Sequence, residues 1–213
     1  MGKHLNSPSD ENIYISPHYR KDDWKSLDLT KMESHDWKKG VDIFLDRING
    51  RFSVPIDRVV HYPDWEVSEF SGFIVIAIDC LLIETLNQFY RGDNETIRDH
   101  SDAFWEFFSR SKFFQKEFNT KSKAKIFYQH FRCGILHQAQ TKKLSRIRIN
   151  MPQMVLESKK GDLSAGLIID RNLFHQALLA EIDDYAKRLK SPSNKIDYEL
   201  RNKFLKKMSY IVN

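Results

Sequence analysis

Between Trp65 and Tyr90 the chain carries one run, centred on GFIVIAIDCLLIETL, whose apolar residues point in nearly every direction at ~100° per residue. A helix of that kind has to be buried on most sides, as the core helix of a bundle or a subunit interface is. Asp79 and Glu84 sit inside it, and an unpaired buried carboxylate is costly, so each needs a partner. Glu84 shares a stripe with Phe73 and Ala77, whereas Asp79 falls near Val75 and Ile83. The two acids also interrupt the run well short of the ~20 apolar residues of a membrane span, so no membrane is expected.

Other helical patterns surround this one. A first helix is predicted from Asp36 to Ile48, stopped by Asn49-Gly50. A third, Glu95 to Phe114, carries the aromatic stripe DAFWEFFSRSKFF, read as core packing with base stacking as the alternative. A fourth starts after Asn119-Thr120 and ends near Gln140. Period-2 and β-branched signals in SRIRIN, QMVLES and AGLIIDRN predict two or three short strands over 145–170. Two helices follow, Leu173 to Leu189 and Asp197 to Ile211. The expected fold is a mainly α bundle with a small β insertion. Residues 1–35 form a polar arm and 36–213 a single domain, a reasonable size for 213 residues.

The start, MGKHLNSPSDENIY, has no apolar h-region, and Asn6 stands where a myristoylation pattern wants Ser or Thr. Cys80 and Cys133 lie inside helical patterns and read as reduced thiols of a cytoplasmic protein. No Asp/Glu/His cluster shows metal-ligand spacing, so no metal and no cofactor are expected. Charge is unevenly placed. From Arg110 to Arg148 eleven basic residues face Glu117 alone, a net +10, which leaves −5 on the rest of a +5 chain. That asymmetry fits a polyanion-facing surface, or else a solvated helix face beside an acidic remainder.

The chemistry-bearing stretch is KIFYQHFRCGILHQAQTKKLSRIR, Lys125 to Arg148. On a regular helix Arg132 and His137 stand about 140° apart, so one helix does not complete a site from both. A two-fold dimer supplies a second copy of the patch. His130 and His137, seven apart, are expected on one stripe with Cys133 and Ile126. Imidazole can exchange protons near neutral pH, taking one from a ribose 2′-hydroxyl or giving one to the leaving 5′-oxygen. Guanidinium binds phosphate bidentately and stabilises its developing charge, so no metal is required.

RCGILH resembles the Arg-x4–6-His motif of the HEPN superfamily of small α-helical proteins, over about Trp65 to Gln140. The resemblance implies a dimeric bundle, joined through the long helix and the motif helix, that cleaves RNA without metal in a basic cleft. Arg132 would bind phosphate and His137 act as general acid/base. His130, Glu84 or Asp79 would support them, and Cys133 stands where active members often carry a polar residue. Lys142, Lys143, Arg146 and Arg148 are candidate RNA-phosphate contacts. The functions this implies are an endoribonuclease in defence, stress response or a toxin–antitoxin pair with an antitoxin or other regulatory protein. The alternative is a non-catalytic HEPN-like dimer binding RNA, nucleotide or a protein.

Overall fold

The computed structural model describes residues 12–96 and 99–213; residues 1–11 of the expected arm and 97–98 of the expected third helix lie outside it. The architecture is mainly α with one small sheet. The described part of the arm, including α1 (Lys21–Lys25), lies on the domain with Ile15 and Trp24 buried. In α2 (His35–Ile48) the Ser34 hydroxyl caps the first turn by accepting from the Trp37 N–H. The expected stop at Asn49-Gly50 does not occur. The chain passes through a π turn (Asn49–Ser53) into α3 (Val54–Val60), where Pro55 occupies the first turn and breaks little of the ladder.

The predicted helix from Trp65 to Tyr90 is divided at Ser71 into α4 (Trp65–Phe70) and α5 (Gly72–Arg91). Arg171 accounts for the break, because its guanidinium donates to Ser71 Oγ (2.7 Å) and to the Glu69 carbonyl (3.1 Å). Gly92 closes α5 in the left-handed region at φ 71°. Most of α5 is core, with Val75, Ile76, Cys80, Leu82, Ile83, Leu86 and Phe89 buried. One stripe is not covered. Ile74 is 56% exposed and Leu81 44%, beside Leu136 at 53%. By length and composition alone α5 could cross a membrane, and about half of it is buried inside the protein.

The aromatic stripe belongs to α6 (His100–Arg110) and the turns after it, and it is core: Phe104, Phe107, Phe108 and Phe114 are fully buried. Phe108 stacks on Phe118 at 3.9 Å, so these rings are not open to bases. The motif helix is α7 (Lys121–Phe127), a π turn (Tyr128–Arg132) and α8 (Cys133–Gln138). The strands are β1 (Arg146–Arg148), β2 (Val155–Glu157) and β3 (Leu167–Asp170), in the order β1-β3-β2. β1 runs parallel to β3, β2 antiparallel, so β1 is an edge strand. It packs on the start of α5, where a Cβ on Gly72 would stand 2.8 Å from the Ile147 side chain. α9 (Arg171–Lys190) and α10 (Lys195–Val212) complete the bundle against α5.

Candidate functional site

The motif helix owes its local form to the π turn. The Cys133 N–H reaches back five residues to the Tyr128 carbonyl, which fits one extra residue into the turn. That residue rotates everything before the turn relative to everything after it. His130 and His137 therefore do not share a stripe: His130 is buried at 4% exposure, and His137 is exposed in the last turn of α8.

His130 is built into the scaffold. Its carbonyl accepts the Lys142 N–H at 3.0 Å, and its Nδ1 lies 2.9 Å from Ser145 Oγ. Ser145 Oγ accepts the Leu167 N–H at 3.1 Å, so its own proton is available for His130 Nδ1. Burial, then the nearby Lys143 and Lys142 charges, lower the His130 pKa and favour the neutral ring. The return loop is tightly constrained. Gly134 lets it approach the helix, since a Cβ there would stand 2.5 Å from the Gln140 carbonyl oxygen, and Ala139 (φ 52°) and Lys143 (φ 53°) take left-handed conformations disfavoured for side-chain-bearing residues.

Arg132 points the other way, onto α5. Its Nε–H donates to Glu84 Oε1 at 2.9 Å, and Glu84 Oε2 lies 2.9 Å from Nδ1 of His100 at the start of α6. One carboxylate thus joins a guanidinium and an imidazole drawn from three helices. The His100 ring lies nearly parallel to Tyr128 (9°, centroids 6.5 Å apart), and the Arg132 guanidinium sits 5.7 Å from the Tyr128 ring centre. Burial, followed by the hydrogen bond to Cys133, pushes the Tyr128 hydroxyl up to about 12. Burial alone would lower the Arg132 pKa, but the hydrogen bond and charge of Glu84 leave it raised. The Arg132–Glu84 pair opens onto a cleft of about 310 Å³ between α5 and α8, walled by Ala77, Ile78, Leu81 and Leu136.

Of the two acids in the long helix, Glu84 alone meets Arg132. Asp79 lies five residues back, about 140° around α5, fully buried, with Oδ1 2.7 Å from His175 Nδ1. Burial pushes Asp79 up, against the hydrogen bond and charge of His175. His137 stands about 7.5 Å along the axis from Arg132. The basic residues follow α8 on the return loop and edge strand. Lys143 Nζ donates to the Ser164 carbonyl (3.0 Å), Arg146 to the carbonyls of Lys143 and Ser145 (3.1 and 2.7 Å), and the exposed Arg148 to the Ile147 carbonyl (3.2 Å). Among the described residues no group of three or more His, Cys, Asp or Glu side chains could hold a metal ion.

His100 is the residue that sequence reasoning does not find. Its only local signal is the Asp99 cap before it, whose side chain accepts the Ser101 N–H. Compared with known protein families, with curated proteins and with solved structures, the chain matches none.

Proposed function

We propose that the chain is a metal-independent endoribonuclease of HEPN type, acting in the cytoplasm as a two-fold dimer. The observation that carries this reading is the Glu84 carboxylate, which lines a cleft together with Arg132 and also holds His100. With Nδ1–H held by Glu84, the His100 lone pair is on Nε2, in the tautomer a general base needs. Only the Nε–H of Arg132 is spent on Glu84, which leaves the terminal nitrogens to bind a phosphate. In the reaction, Nε2 of His100 takes the proton of the ribose 2′-hydroxyl and the oxygen attacks the adjacent phosphorus. Arg132 stabilises the charge that builds there, and His137 on the second copy of the motif helix protonates the departing 5′-oxygen. The products are a 2′,3′-cyclic phosphate and a free 5′-hydroxyl.

The uncovered stripe of Ile74, Leu81 and Leu136 supports the dimer, because it lies on the long helix and the motif helix and borders the cleft. A second reading, a non-catalytic HEPN-like module binding RNA, nucleotide or a protein partner, draws on Cys133 standing directly after the motif arginine, where active members often carry a polar residue. Cleavage of labelled RNA in EDTA separates the two. Arg132→Ala, His137→Ala and His100→Ala are each expected to lower kcat by a hundredfold or more, the scale of losing one acid, base or charge stabiliser. Unchanged cleavage by His137→Ala protein with intact helicity would refute the mechanism. Absence of cleavage by the wild type, with RNA binding retained, would leave the second reading.

A further inference from the structure

A second cleft, of about 380 Å³, lies between the start of α5 and the edge strand β1. Phe70, Phe73, Ile147, Arg148, Ile149 and Arg171 line it. Phe70 is 70% exposed, with Trp65, itself 65% exposed, at 6.3 Å between ring centres. Large aromatic rings left in water next to a guanidinium are unusual on a surface that has only packing to do. Arg171 is committed to Ser71 and the Glu69 carbonyl, and the Glu69 carboxylate on the rim lies in its field. Arg148 is exposed, at the end of the basic tract that includes Lys142, Lys143 and Arg146.

We infer that this cleft holds an unstacked base of a single-stranded RNA, with the base on Phe70 and Phe73 and its phosphate on Arg148. Exposed aromatics beside arginines suit a splayed strand, whose bases offer π-faces, and not a duplex, whose bases are stacked inside. The inference rests on the ribonuclease reading for its geometry. Phe73 and Glu84 are eleven residues apart, which is about 20° around α5 and roughly 16 Å along it. Both clefts therefore open on one flank of the helix, where Leu81 walls the first and Ile74 is turned further round. A strand anchored at Phe70 would reach Arg132 within a few nucleotides.

The test is fluorescence anisotropy of a labelled oligouridylate and of a blunt RNA duplex, on full-length protein carrying Arg132→Ala so that no substrate is cut. Adding Phe70→Ala is expected to weaken binding of the single strand about tenfold, within the range for one base stacked on an aromatic side chain. Phe70→Trp should restore it, and duplex binding should change little. Arg148→Ala should also weaken the strand and lower the salt slope by about one. Wild-type affinity in the Phe70→Ala protein overturns the inference. So does a change of oligomeric state in ultracentrifugation with unchanged affinity per protomer, which would make the ring a protein contact. Cleavage by otherwise wild-type protein distinguishes the two claims. Phe70-dependent binding without any cleavage removes the ribonuclease and keeps the subsite, whereas normal cleavage with Phe70-independent binding does the reverse.

Discussion

Replacing Glu84 with Gln keeps the shape of the side chain but removes the charge that joins Arg132 and His100. The two halves of that junction are not equal. His100 is 42% exposed at its side chain, so its pairing is screened and worth little. Arg132 and Glu84 are 20% and 14% exposed, so their charge-assisted bond dominates, at about 1–2 kcal/mol after screening. At a urea m-value of about 2 kcal/mol/M, the midpoint should fall by about 0.5–1 M with m unchanged. A double-mutant cycle with Arg132→Gln should show a coupling of about 1 kcal/mol. The functional effect is expected to be split. Loss of a negative charge beside the phosphate site should leave RNA binding unchanged or tighter. With His100 no longer held in one tautomer and Arg132 free to swing, kcat should drop tenfold or more. Additivity of the two substitutions within about 0.3 kcal/mol would show that the pair is not coupled. An unchanged kcat would show that Glu84 positions nothing.

His130 makes stability pH-dependent. Its native pKa is lowered, so the unfolded chain binds the extra proton first, and stability present above about pH 6.5 is lost as the pH falls below it. Urea midpoints measured from pH 7.5 to 5 should decline less in a His130→Asn protein than in the wild type; parallel declines would show that His130 contributes nothing. Leu81→Glu, on the open stripe, should leave the thermal midpoint within a few degrees and, on the proposed dimer, give a monomer by ultracentrifugation, since a charge there would be solvated in one copy and buried between two. A variant that stays dimeric would place the interface elsewhere.

The helices are largely legible in the sequence because their signals are local. The motif helix begins directly after Thr120, and the predicted helices Leu173–Leu189 and Asp197–Ile211 fall within two residues of α9 and α10 at each end. The β-branched segments become strands for the same reason. The misses arise where a distant group intervenes. Arg171 reaches across a hundred residues to break the long helix at Ser71. The helix predicted to stop at Asn49-Gly50 continues as a π turn, because a wider turn accommodates what α geometry would end.

The candidate site divides along the same line. By itself the sequence placed Arg132 and His137 on one helix, centred the basic charge around them, and required partners for Asp79 and Glu84, because side-chain type and spacing are properties of neighbours in the chain. Which partners those are was decided only in three dimensions. Glu84 meets Arg132 across 48 residues and His100 across 16, and Asp79 meets His175 across 96. The π turn buried His130 and left His137 outside, and the order of packing around α5 left one apolar stripe open. Such outcomes depend on which surfaces are brought together when the bundle closes, and periodicity along one helix carries no information about the helix opposite.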